Sequence, residues 1–110
     1  MPSSIPIQPE RRRTPRHTFG GVAEVTSAQS GKYLVAITAE ISRLGCFVKA
    51  MTPFASGEAV NVKITYSGRA FSAPGRVIYV LPAKGMGITF GAIPADGQLV
   101  LDDWIAESTG

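Results

Sequence analysis

One cysteine and one histidine are all that this chain of 110 residues carries of the two most chemically versatile side chains. A single cysteine cannot close an internal disulfide or build a thiolate metal site. A single histidine excludes the two-histidine zinc signatures and leaves little acid–base capacity near neutral pH. No apolar run approaches the ~18 residues of a membrane helix. The opening Met1-Pro2-Ser3-Ser4-Ile5-Pro6-Ile7-Gln8-Pro9 is polar and interrupted by proline, which is not the pattern of a signal peptide. No phosphate loop of the Walker type occurs, and Gly85-Met86-Gly87 is a lone GxG ahead of a strand-like run. The eight acidic residues show no metal-ligand spacing, and neither His17 nor Ser42 has a sequence neighbour that would complete a triad. These absences point away from an enzyme, a metal and a cofactor, and towards a soluble, reduced, cytoplasmic protein.

What the chain does hold is enough for one compact core. Its apolar fraction is 45%, and its length suits one domain, which typically has ~100–150 residues. Charge is unevenly placed. Arg11, Arg12, Arg13 and Arg16 stand near the start against Glu10 alone, and beyond residue 19 basic and acidic groups balance. The whole formal excess of +3 therefore lies in one short arm, and all of it is arginine. Guanidinium groups present a planar fork that suits phosphates and the acceptor edge of guanine, and they stack on flat rings. Composition alone leaves two readings open, a solvated basic tail and an anion-binding arm.

Residues 1–18 read as a flexible N-terminal arm, and Pro15 blocks a long helix there. From residue 19 to 110 the texture is β-like with a different ending. A strand is expected over Val22–Thr26 after Gly20-Gly21, and a turn over Ser27–Lys32. A longer strand runs from Tyr33 to Glu40, a bend from Ser42 to Gly45, and a strand starts at Cys46-Phe47-Val48. After a loop over Thr52–Gly57, Val60, Val62, Ile64 and Tyr66 alternate strictly with polar residues. Ser67-Gly68-Arg69 reads as a hairpin turn. Phe71–Val80 is a strand in which Pro74-Gly75 implies a bulge or an edge position. Met86–Phe90 is the last strand. With no β-α-β alternation the sheet should be antiparallel, and short, closely spaced strands suit a small barrel or a sandwich. At the end, Asp96 stands near a helix N-cap, the pairs Leu101/Ile105 and Val100/Trp104 form an apolar stripe, and a helix of roughly three turns is expected. Trp104 is expected to anchor that helix on the body, and Cys46 to be a small buried hydrophobe.

Two segments carry the chemistry. Glu10-Arg11-Arg12-Arg13-Thr14-Pro15-Arg16 contains Arg12-x-x-x-Arg16, and Glu40-Ile41-Ser42-Arg43-Leu44-Gly45 is an acidic-x-Ser-x-x-Gly run between two strands. A carboxylate, a hydroxyl and a backbone opened by glycine can read the N1 and exocyclic amine of guanine, while arginine forks read its O6 and N7 edge. The pair resembles the RxxxR and [D/N]xSxxG signature of PilZ domains, bacterial receptors for the second messenger cyclic di-GMP. Gly85-Met86-Gly87-Ile88-Thr89-Phe90 resembles that family's late GxGxxF-like strand, and Leu101–Ile105 the start of its C-terminal helix. The resemblance covers about residues 10–107. One position departs from the pattern: Glu40 stands where the family has Asp or Asn, keeping the carboxylate but adding a methylene.

The resemblance implies an all-β fold, a small six-stranded, split antiparallel barrel with a C-terminal α-helix. It implies a stand-alone receptor in which Arg12 and Arg16 clamp cyclic di-GMP, Arg11 or Arg13 adds a phosphate contact or a stack, Glu40 and Ser42 meet a guanine, and Gly45 lets the backbone approach. The arm would order over the barrel when ligand arrives and present a new surface to a protein effector. No cofactor, membrane or nucleic acid enters this reading, and the protein would be a monomer or a homodimer. Two alternatives stand beside it: a ligand-independent PilZ-type adaptor, and a nucleic-acid-binding barrel of the OB or cold-shock type. The second calls for an exposed cluster of aromatics and lysines on one strand face, which this sequence does not show.

Overall fold

The computed structural model describes residues 17–109. Six strands form a closed antiparallel barrel: β1 (His17–Ser27), β2 (Tyr33–Ile41), β3 (Gly45–Lys49), β4 (Ala59–Tyr66), β5 (Arg69–Leu81) and β6 (Gly85–Phe90). Around the barrel the order is β1-β2-β3-β6-β5-β4, with β4 returning to β1. One helix, α1 (Ala95–Thr109), follows. The expected all-β barrel with a C-terminal helix is therefore the fold, and the sandwich is excluded.

Alternation builds the core. Val60, Val62 and Ile64 of β4 point inward, and Ala23 and Val25 of β1 meet them across the Ala23/Ile64 and Val25/Val62 pairs. Met86 and Ile88 fill the interior from β6. The β4–β5 hairpin turns on Ser67 (φ 52°) and Gly68 (φ 80°), two consecutive left-handed residues that match the twist of the strands they join.

Three local expectations change. The first strand begins at His17, five residues before Val22, and Gly20-Gly21 lies inside it. Its register shifts between Thr18 and Gly21, so the glycine pair is absorbed as a bulge rather than breaking the strand. Gly21 is a point of close packing, where a Cβ would lie 2.5 Å from the Phe19 ring. At Pro74 the ladder to β4 is unbroken, opposite Asn61. Pro74 O accepts from Gly91 N at 2.7 Å, so its backbone faces away from β4, just beyond the end of β6. That is the edge position rather than the bulge, and the irregularity of β5 falls later, between Val77 and Tyr79. The helix has 15 residues, about four turns at 3.6 residues each, one more than expected. Gln98 N donates to Pro94 O, which makes Pro94 the cap, and Asp96 sits within the first turn, where its charge suits the helix dipole.

Trp104 fixes α1 to the barrel. It is buried, with ring centroids 5.2 Å from Phe19, 5.6 Å from Phe71 and 5.9 Å from Tyr66. Those three residues come from β1, β5 and β4 at the end of the barrel where β1 begins and β2 finishes. Two ion pairs join the helix to turns at the same end: Arg69 to Asp103 at 2.9 Å and Arg43 to Asp102 at 3.8 Å. Both are largely exposed and contribute about 0–1 kcal/mol each, so the aromatic packing is what holds the helix. Among the described residues no helix is long and apolar enough to cross a membrane.

Candidate ligand-binding site

The acidic-x-Ser-x-x-Gly run becomes the tight corner between β2 and β3. Ile41 ends β2 with its side chain wholly buried, and Ser42 beside it is also buried. Ser42 N donates to Gly45 O at 2.9 Å, which closes the turn. Ser42 Oγ accepts from Leu44 N and Gly45 N, each at 3.2 Å, and donates to Gly45 O at 3.3 Å. One donor and two acceptor sites are the whole capacity of a hydroxyl, so the turn uses all of it. Ser42 shapes the corner.

Gly45 is required by contact with β6. A Cβ there would lie 2.1 Å from Ile88 O and 3.1 Å from Thr89 Cα. Nothing larger than hydrogen fits while the Gly45/Thr89 and Cys46/Ile88 pairs hold. The next contact locks the corner from the same side: Leu44 O accepts from Phe90 N at 2.8 Å and from Thr89 Oγ1 at 3.3 Å. Arg43, on the outside of the turn, reaches Asp102 of α1.

Glu40 sits one residue before the last position of β2. Its Cα partners are Thr18 on β1 and Phe47 on β3. Phe47 is opposite Gly87 on β6, and Gly87 is opposite Tyr79 on β5. Their neighbours Ile41, Cys46, Val48, Met86 and Ile88 are buried in the core. The five residues Thr18, Glu40, Phe47, Gly87 and Tyr79 therefore form one cross-strand row on the outer face. The rings of Phe47 and Tyr79 lie 6.1 Å apart and 20° from parallel. Gly87 is what lets them approach, since a Cβ there would meet the Tyr79 ring at 2.2 Å. The result is a carboxylate beside a flat aromatic surface, an arrangement suited to the edge and face of a planar base.

The row includes two residues, Phe47 and Tyr79, that sequence reasoning did not select. The alternate glycines of Gly85-Met86-Gly87 were the available signal, because glycines two apart on a strand leave room for large side chains on one face. Only the register says which rings fill that room.

The arginine expectations, Arg11, Arg12, Arg13 and Arg16, lie outside the described residues. The chain that follows them does not. His17 pairs with Ile41 and Thr18 with Glu40, so the residue after Arg16 enters the barrel directly beside the corner. Cys46 next to the corner is buried, and burial pushes its thiol up to about 12, so it is not a nucleophile. No group of three or more potential metal ligands occurs among the described residues.

The family model for the PilZ domain matches residues 10–107. Among solved structures the chain is similar to the Bacillus subtilis inhibitor of motility MotI/DgrA, with a TM-score of 0.75 and 17% identity over 90% of this chain. It spans about half of that protein, 51% of its length. The PilZ domain of YcgR from Escherichia coli, solved with c-di-GMP, superposes with a TM-score of 0.74 at 12% identity, covering 90% of this chain and 92% of that one. The PilZ domain of CeSA from a cellulose-synthesizing bacterium gives 0.67 at 18% identity, covering 86% and 98%. No curated protein sequence matches the chain. At these identities the structural likeness speaks for the fold, and the match across residues 10–107 settles the family: the chain belongs to the PilZ domain family.

Proposed function

We infer that this domain is a cytoplasmic, non-catalytic receptor for cyclic di-GMP, which orders its N-terminal arginine arm on binding and signals to a protein effector. The observation that carries the reading is the register of the first ladder, His17 to Ile41 and Thr18 to Glu40. Arg16 is one peptide bond from His17, and Arg12 is within roughly 17 Å of it even if the chain is fully extended. Both arginines of the RxxxR motif are thus within chain reach of the Glu40–Gly45 corner, which supports the reading. The E. coli YcgR domain solved with c-di-GMP supports the ligand class.

In this reading Arg12 and Arg16 clamp phosphate and guanine edges, and Arg11 or Arg13 adds a phosphate contact or a stack. Glu40 accepts from the guanine N1 and exocyclic amine. Phe47 and Tyr79 offer it an aromatic surface. Ser42 and Gly45 act by holding the corner in shape, since the hydroxyl is engaged within the turn and the glycine abuts β6. Ordering a segment on binding consumes about 2–5 kcal/mol of the gross interaction, so affinity is moderate and the new surface depends on ligand.

Isothermal titration of the full chain with cyclic di-GMP tests the reading. Micromolar or tighter binding that Arg12→Ala or Arg16→Ala abolishes supports it. No heat at high ligand overturns it in favour of a ligand-independent adaptor, and binding of random single-stranded nucleic acid that falls steeply with salt would favour the nucleic-acid barrel.

A further inference from the structure

The outer face of β3 continues past the aromatic rings. Gly45, Phe47 and Lys49 alternate with the buried Cys46 and Val48, so all three share that face. Lys49 is opposite Gly85 on β6, and Gly85 is opposite Leu81 on β5. Lys49, Gly85 and Leu81 therefore form the next cross-strand row, about 7 Å further from the corner than the row of Phe47, Gly87 and Tyr79. The two rows touch. A Cβ on Gly85 would lie 2.7 Å from Phe47 Cζ and 2.9 Å from its Cε2, so the Phe47 ring leans over Gly85 towards the lysine's row. Lys49 is exposed, and among the described residues its side chain makes no hydrogen bond or ion pair. The other two cations on β3, β5 and β6 are engaged. Arg69 pairs with Asp103 at 2.9 Å, and Arg76 donates to Gly57 O at 2.8 Å.

We propose that Lys49 is a further ligand-contact residue, which holds a phosphate of the ligand from the side of the aromatic rings away from the corner. This role rests on the receptor reading above and adds to it a cation supplied by the barrel itself. A cyclic dinucleotide joins its bases through sugars and phosphodiester anions. When a base lies on Phe47 and Tyr79, the linkage emerges at the rim of the rings. The carboxylate of Glu40 stands on one side of Phe47 in the same row and repels a phosphate, while the ammonium of Lys49 stands in the next row and attracts one. The two charges orient the ligand, with a base edge towards Glu40 and a phosphate towards Lys49. The arginine arm approaches from β1, where His17 pairs with Ile41, so Lys49 serves a different side of the ligand. A lysine is a compact point charge with three donors on a flexible stem, which suits a phosphate oxygen and demands no planar geometry. Binding gives Lys49 the partner that the described chain does not.

Calorimetric titration of the full chain with cyclic di-GMP at two salt concentrations tests this role. Lys49→Gln is expected to weaken binding about five- to twentyfold, between the effect of an exposed ion pair and that of a fully engaged charged hydrogen bond. It should also reduce the salt dependence of binding and leave the unfolding temperature of the free protein unchanged. Lys49→Arg keeps the charge and should bind within about twofold of the native chain. Lys63→Gln removes the same charge from β4, which pairs with β1 and β5 and not with β3, and should also stay within about twofold. Equal binding by Lys49→Gln and the native chain would overturn the role of Lys49 and leave the receptor reading standing. An equal loss in Lys63→Gln would do the same, because it would mark a general effect of charge. A native chain that gives no heat overturns both.

Discussion

His17 and Ile41 face each other across the first ladder, and this pairing brings the start of β1 to the corner that ends β2. Chain that is remote in sequence from Ser42 thereby becomes its neighbour. The two functional motifs are joined through the sheet rather than through a loop.

The arginines and the corner should separate in titration. Arg12→Ala and Arg16→Ala are each expected to weaken cyclic di-GMP binding by more than tenfold, with the unfolding temperature unchanged. Ser42→Ala removes a hydroxyl that makes three hydrogen bonds inside a buried turn, so it should cost about 1–3 kcal/mol of stability and lower affinity only through the altered corner. Calorimetric titration beside thermal denaturation separates the two classes of effect.

Glu40 provides a graded test. Glu40→Ala should cost ten- to a hundredfold in affinity, the equivalent of about 1–3 kcal/mol for a carboxylate hydrogen bond. Glu40→Asp places the family's usual residue there and is expected to bind at least as tightly as the native chain. Weaker binding by Glu40→Asp than by Glu40→Ala would show that the carboxylate does not meet the ligand.

Gly45 and Gly20 make a matched pair for stability. A Cβ at Gly45 would collide with Ile88 O at 2.1 Å, while nothing lies within 4 Å of one at Gly20. Gly45→Ala forces β3 from β6 and should cost about 2–3 kcal/mol, lowering the unfolding temperature by roughly 10 °C or more. Gly20→Ala should leave it within a few degrees. Thermal scans of both variants check this directly.

Trp104→Ala should cost about 3–5 kcal/mol, because it empties the centre of the Phe19, Tyr66 and Phe71 cluster and releases α1. Trp104→Phe should recover part of that loss. The indole Nε1 has no hydrogen-bond partner among the described residues, so what Phe fails to recover is packing. Chemical denaturation of the two variants gives the split.

The Cys46 thiol sets a pH dependence. Burial raises its folded pKa from 9.0 to about 12. In the unfolded chain the thiol ionises first, so the unfolded state gains relative to the folded one as pH climbs. The contribution is complete below pH 9 and declines between 9 and 12. Denaturation at pH 8 and at pH 10.5 should show the loss, and Cys46→Ala should lose less over the same interval. A thiol reagent at pH 8 should label the native chain only on unfolding.

What the order of residues determined by itself is whatever depends on near neighbours. Alternation at Val60, Val62 and Ile64 marked a strand, the Val100/Trp104 and Leu101/Ile105 spacing marked a helix, and the run from Arg11 to Arg16 put the charge in one arm. The two short motifs, in order, pointed to the family. Tertiary structure decided everything that depends on register. Phe47 and Tyr79 meet over Gly87 only because three strands pair at those positions, and bulges near Thr18 and between Thr38 and Glu40 turn Glu40 outward beside Phe47. Ser42 turned inward and Gly45 pressed against Ile88 for the same reason. A bulge of one residue reverses which face a side chain takes, and its presence follows from how the neighbouring strands pair, which no local pattern encodes.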